Sequence, residues 1–266
     1  MASPSILAPL VLGGLMCVPV LAQSERPLST ETANTLPWGS GEFELGLGTF
    51  RTRVERRRGQ LWQLPQLAGR AGIGPTAELR IEGSGIVWFD PDDGGDSREP
   101  GDFTLWTKVR FWKGTPFQPV VAGRIGVKIP VTSNESGLGT DEVDFLVQVI
   151  LSQRISRSDL HLNLGLAVLG DPDRKAAQND AFNYSVGAVI PVTDKIKLLG
   201  EISGQQGQGS RFDRSFARAG VRWQSGSTAW DAGLSAGFID ESEDWGVIAG
   251  MTRAFTWTPE EAIPQP

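Results

Sequence analysis

The chain has 266 residues, 39% of them apolar, with 33 glycines, 17 prolines and a formal net charge of −6. It is too apolar for a disordered chain and too acidic for a general nucleic-acid binder, which needs a basic face for the phosphates. One cysteine, Cys17, and one histidine, His161, exclude a Cys/His zinc site, a disulfide framework and a paired-histidine metal centre, and no cofactor is expected.

Residues 1–22 read as a secretory signal. An apolar run from Ile6 ends in Val20-Leu21-Ala22, ahead of a polar stretch from Gln23. Pro9, Pro19 and the short span argue against a membrane anchor. Cleavage after Ala22 leaves a chain without cysteine. Residues 23–41 follow as a polar, periplasmic lead-in.

From 42 to 257 apolar residues recur at every second position, the period of a strand. Leu160, Leu162, Leu164, Leu166 and Val168 on one face oppose His161, Asn163, Gly165 and Ala167 on the other. In chain order twelve strands are expected, at 42–53, 61–73, 77–89, 102–113, 117–131, 142–153, 159–170, 181–192, 195–205, 212–223, 228–239 and 244–257. Most exceed the roughly five or six residues usual in soluble strands and suit the about 9–11 of a tilted bilayer crossing. The links alternate too. Those at 74–76, 114–116, 155–158, 193–194 and 224–227 are short. Those at 54–60, 90–101, 132–141, 171–180, 206–211 and 240–243 are polar and mostly longer. Tight periplasmic turns opposite long outer loops characterise a membrane barrel. The fold class is therefore all-β, a transmembrane antiparallel up-and-down β-barrel of about 12 strands in the bacterial outer membrane, with a polar tail at 258–266. A soluble β-sandwich with one wet face also alternates, but strand length and loop alternation favour the barrel. Trp38, Trp112, Phe117, Trp223 and Trp257 are candidates for one aromatic girdle. Trp62, Trp88, Phe89, Phe182, Phe238 and Trp245 are candidates for the other.

Several segments carry a resemblance. They are Thr30-Glu31-Thr32-Ala33-Asn34-Thr35-Leu36-Pro37 with Glu42-Phe43-Glu44-Leu45-Gly46, Gly74-Pro75-Thr76 with Glu78-Leu79-Arg80, and Arg124-Ile125-Gly126-Val127-Lys128-Ile129-Pro130. Gly137-Leu138-Gly139-Thr140-Asp141, Asn163-Leu164-Gly165-Leu166 and Gly170-Asp171-Pro172 complete the set. From about Ser29 to Phe255 the chain resembles the outer-membrane transporter family labelled for the meta-pathway of phenol degradation. The resemblance implies transport of aromatic or other small organic compounds and supplies no binding residues. The polar end, in place of a terminal aromatic, departs from the usual barrel pattern.

Strand parity names an inward face. The pore-lining or solute-binding candidates are Arg80, Glu82, Lys108, Arg110, Arg124, Lys128, Asp144, Glu201, Arg218 and Arg222, accompanied by Glu78, Gln148, Asn163, Arg214 and Asp231. Near the midplane an Arg or Lys facing lipid costs about 2–4 kcal/mol, so these charges belong inside. They fit a polar pore passing a small solute passively, since no nucleotide motif is present to couple energy. The alternative is a structural or adhesive barrel whose lumen is filled by ion pairs and whose outer loops bind partners. Arg214, Arg218 and Arg222 recur every four residues and are expected to pair with Glu78, Glu82, Glu201 or Asp231. A barrel phospholipase would need a serine beside His161, and the local sequence offers none. The 132–141 link, with Gly137-Leu138-Gly139, is the candidate to fold inward as a plug. The acidic run Asp90-Pro91-Asp92-Asp93-Gly94-Gly95-Asp96 lacks the ligand spacing of a calcium loop. The expected partners are membrane lipid and lipopolysaccharide outside and a small-molecule solute inside. Oligomeric state stays open.

Overall fold

The computed structural model describes residues 21–54, 56–171, 178–208 and 213–257. Most of the expected leader and the whole 258–266 tail lie outside the described residues.

Thirteen strands form one antiparallel sheet, and twelve of them close into a barrel. In chain order the strands are β1 (Ser40–Val54), β2 (Arg57–Gly72), β3 (Ala77–Pro91), β4 (Ser97–Glu99), β5 (Phe103–Trp112), β6 (Val120–Ile129) and β7 (Asp144–Ile155). Then come β8 (Ser158–Gly170), β9 (Gln178–Pro191), β10 (Ile196–Gly207), β11 (Arg214–Ser225), β12 (Thr228–Gly237) and β13 (Trp245–Thr256). Neighbours in sequence pair in space, and β1 pairs with β13 from Ser40↔Thr256 to Arg51↔Trp245, which removes the free sheet edges. Only such closure satisfies strand backbone inside a bilayer.

All twelve expected strands are present. The one not foreseen, β4, is a three-residue piece that pairs with the outer end of β3. The first outer link also differs. Instead of a loop over 54–60, β2 begins at Arg57, with Arg56 at φ 70° in the turn. The hairpin stands tall because arginines on it find acids on neighbouring loops. Arg57 bonds Asp93 at 2.7 Å, Arg51 pairs with Asp92, and Arg58 with Asp244. Hydrogen bonds from Arg51 and Arg57 hold the Asp92 and Asp93 carboxyls below their ordinary values. The acidic run thus serves its own hairpin.

The wall is inside-out relative to a soluble protein. Along β1, Phe43, Leu45 and Leu47 are exposed at 44%, 39% and 49%, while the alternating Glu42 and Glu44 are each 1% exposed. Alternation at period two puts the apolar set toward lipid and the charged set toward the lumen. The five aromatics expected at the short-turn rim are all exposed there, as are Phe182, Phe238 and Trp245 at the other. Phe89 departs from the expectation: it is 2% exposed, facing inward at the outer end of β3. The 132–141 link does not fill the lumen. It folds against the outer rim, where Asp102 accepts the Val131 and Thr132 N–H groups at 2.8 and 2.9 Å and Lys128 donates to the Thr140 hydroxyl at 2.8 Å.

Ile125 and Val147 are register partners on the lipid face. Ile125→Arg is expected to lower folding stability in bilayers by about 2–4 kcal/mol, read from urea titrations of the heat-dependent gel shift.

Candidate functional site

What fills the lumen is the segment expected to be a periplasmic lead-in. Residues 22–37 make one circuit of the inner wall in the short-turn half, as a belt. Ala22 packs on Ala229 and Ala254 of β12 and β13. The Gln23 N–H donates to Glu42 on β1, and Arg222 on β11 donates to the Ser24 carbonyl. Arg26 pairs with Asp231 on β12 at 3.3 Å, and Arg218 on β11 donates to the Pro27 carbonyl at 3.0 Å. Glu201 on β10 accepts the N–H groups of Ser29 and Thr30 at 3.0 and 2.8 Å and their hydroxyls at 2.9 and 2.6 Å. Asn163 on β8 grips Glu31 from both sides: Oδ1 accepts its N–H at 2.7 Å and Nδ2 donates to its carbonyl at 2.9 Å. Beyond it, Ser152 on β7 accepts the Ala33 N–H at 2.8 Å, Lys108 on β5 donates to the Thr32 carbonyl at 3.0 Å, and Glu78 on β3 accepts the Leu36 N–H at 2.9 Å.

The belt needs these partners because it is irregular backbone shut away from water, where each orphaned polar group costs about 1–3 kcal/mol. It also has apolar seats. Leu28 sits on Val189 and Leu199, and Ala33 on Ala122 and Ile150. Space comes from inward-facing glycines: a Cβ on Gly220 or Gly233 would lie 2.5 or 2.6 Å from Cγ of Pro27.

Glu31 is the centre of the arrangement. Its carboxylate lies 2.6 Å from Arg70, 3.2 Å from Arg80, and 3.6 Å from both Lys108 and Arg124. These four cations come from β2, β3, β5 and β6. The same wall supplies three carboxylates, Glu44, Glu78 and Glu82. Glu44 reaches Arg80 at 3.2 Å, Glu78 reaches Lys108 at 2.8 Å, and Glu82 reaches Arg80 at 2.7 Å. Glu31, from the belt, is the acid that all four of these cations share.

The candidate lining residues therefore divide. Arg80, Lys108, Arg124, Glu201, Arg218 and Arg222 all contact the belt. Glu82 stays partly exposed above it and accepts the Trp106 indole N–H at 2.8 Å. Arg110 lies at the short-turn rim, donating to the Pro75 carbonyl at 3.1 Å. Lys128 and Asp144 pair at 2.7 Å at the outer rim. Of the three spaced arginines, Arg218 meets Glu201 at 3.0 Å as expected, Arg222 meets belt backbone, and Arg214 lies at the outer end of β11. Parity reasoning passed over Trp106, which is buried in the lumen with the Arg124 guanidinium 4.1 Å from its ring centroid. It also passed over Glu44 and Arg70. Strand alternation marks all three, but the belt's acid could not be read as the partner of Arg70.

His161 does have a serine neighbour: Ser152 Oγ lies 2.8 Å from Nδ1, with Glu25 3.9 Å from Nε2. The two residues are register partners on β7 and β8. Belt residue Ala33 covers the pair and occupies the serine oxygen as an acceptor.

Above the belt the lumen opens. One cavity of about 310 Å³ is lined by Phe50, Gln63, Gln66, Arg80 and neighbours. A second of about 340 Å³ is lined by Gln148, Asn183, Tyr184, Gln205, Phe216 and neighbours. Ser29, Glu82 and Arg124 line both, so the two form one vestibule with the belt as its floor.

Residues 24–255 match the family model described as "Putative MetA-pathway of phenol degradation". The chain belongs to this family. No curated protein matches it significantly by sequence. Among solved structures it is similar to an outer membrane channel from Pseudomonas putida F1, with TM-score 0.63 and 12% identity over 86% of this chain and 100% of that one. It is also similar to the NanC porin, with TM-score 0.54 and 6% identity over 82% and 100%. The translocator domain of the autotransporter NalP from Neisseria meningitidis follows, with TM-score 0.51 and 12% identity over 82% and 87%. At these identities the likeness is one of fold, that of outer-membrane barrels. Together with the lipid-facing belt of apolar side chains, it places this family member in the bacterial outer membrane.

Ala33 is fully buried and Glu31 holds the belt. With Cys17 replaced by serine, Ala33→Cys is expected to resist thiol reagents in the folded barrel. Adding Glu31→Gln is expected to speed labelling at least about tenfold, since removing one partner of a buried ion pair costs roughly 3–5 kcal/mol. Equal rates with and without Glu31→Gln would mean that other contacts hold the belt.

Proposed function

We propose that this barrel is a passive channel for a small organic solute, which enters the outer vestibule and crosses when the belt yields. The observation that carries the reading is the vestibule itself: two joined cavities in the outer half whose floor is a segment held by side-chain bonds, not by a strand ladder. A wall pairing can open only by breaking the barrel; the belt can shift while the wall stays closed.

The vestibule lining supports a solute with a ring and polar substituents. Phe50, Tyr184 and Phe216 offer aromatic faces, while Gln63, Gln148 and Asn183 offer amide donors and acceptors. A hydroxylated aromatic compound fits this lining and agrees with the family's label. Arg124, common to both cavities, would favour a solute carrying a carboxylate. We assign no reaction to the barrel, because the Ser152–His161 pair lies under the belt, among none of the residues that line the two cavities.

Planar-bilayer recording tests the reading. The intact protein is expected to conduct rarely and weakly, and a Glu31→Gln protein to conduct through larger, longer openings that 4-hydroxybenzoate blocks. Adding Arg124→Glu is expected to shift selectivity toward cations and to weaken that block. Silence from inserted Glu31→Gln protein would reject the channel and favour the structural barrel with a filled lumen.

A further inference from the structure

One carboxylate of the inner wall lacks the partner its neighbours on the wall have. Glu44, Glu78, Glu201 and Asp231 each meet a Lys or Arg side chain. Glu42, 1% exposed on β1, meets none within ion-pair distance among the described residues. Its Oε1 accepts the Gln23 backbone N–H, and its Oε2 is buried with no hydrogen-bond partner. Its register partner on β2, Arg70, is taken up by Glu31 and Glu44, at 2.6 and 3.7 Å. A buried charge left half-bonded and unpaired is among the costliest features a fold can carry.

The missing cation is supplied by the chain itself. We propose that Glu42 is the seat of the mature protein's α-ammonium, created when the leader is cut between Ala22 and Gln23. Val20-Leu21-Ala22 has the small residues such a cut requires. The Ala22–Gln23 bond lies at the short-turn rim, where Ala22 packs on Ala229 and Ala254. In the hydrolysis, water's oxygen joins the Ala22 carbonyl carbon as the C–N bond breaks, and a water proton goes to the Gln23 nitrogen. At neutral pH that amine takes up a further proton. One neutral amide donor becomes a cation with three, enough to satisfy both oxygens of Glu42.

The consequence is geometric. The belt is joined to β1 at Ser40 by Trp38 and Gly39, and Glu42 lies on that same strand. Pairing Gln23 with Glu42 fastens the free end of the belt beside its tethered end, so the circuit around the wall closes on itself. Leader removal then seats the belt in addition to releasing the chain for export. None of this depends on which solute crosses.

The test uses protein purified from outer membranes. Intact mass and N-terminal sequencing are expected to show a chain starting at Gln23 with a free amine. Reductive methylation at neutral pH should modify that amine at least about tenfold more slowly in the folded protein than in urea, the factor expected for a buried bond between charged groups. Glu42→Gln should abolish the protection while the heat-dependent gel shift persists. One alanine added ahead of Gln23 should loosen the belt to a similar degree, read with the cysteine at position 33. A mature chain that starts elsewhere, or one blocked as pyroglutamate, overturns the proposal. So does an amine equally reactive folded and unfolded, or protection that survives in Glu42→Gln.

Discussion

The structure depends on one belt carboxylate held inside the barrel. Four cations from β2, β3, β5 and β6 converge on Glu31, which arrives from outside the wall. In a narrow lumen screened from bulk water, uncompensated charge is expensive and its partners must be close. That requirement explains why an irregular, proline-flanked segment lies at the centre of the molecule. It also explains why Asn163 and Glu201 point at belt backbone instead of at solvent.

Two kinds of stability are layered here. The wall is held by antiparallel hydrogen bonds from β1 round to β13 and by an outer face that prefers lipid. Neither includes a bond to the belt. The belt is held by ion pairs, by single side-chain bonds to its backbone, and by small apolar seats such as that of Leu28 on Val189 and Leu199. The first layer is cooperative because every strand shares its bonds with two neighbours. The second is a sum of separable contacts, and so is the layer from which a functional motion can be drawn.

Much of this was legible in the sequence. Period-two alternation is dictated by strand geometry, so all twelve wall strands and the inward parity of Lys108, Arg124, Glu201 and Arg222 follow directly. Strand extent was less legible: β1 and β2 run on to Arg57 because Asp92, Asp93 and Asp244 cap the hairpin from other loops, a tertiary effect. The belt escaped because it has no period; its bonds go to side chains far away in the chain, and Thr-Asn-rich sequence reads as a linker. Its trace was present nonetheless in the inward positions occupied by glycine, Gly220 and Gly233 above all. An inward face that alternates arginine with nothing at all marks space reserved for another part of the chain. The Ser152–His161 contact was hidden differently, by a register that brings together two residues on opposite sides of a turn.

The belt leads into β1 through only Trp38 and Gly39. It therefore behaves as a ligand tied to its own receptor, at an effective concentration of roughly millimolar or higher. A segment so tied need not bind tightly to stay seated, and once displaced it cannot be lost to the periplasm. Each reclosure is a first-order event, indifferent to how many copies of the protein the membrane holds.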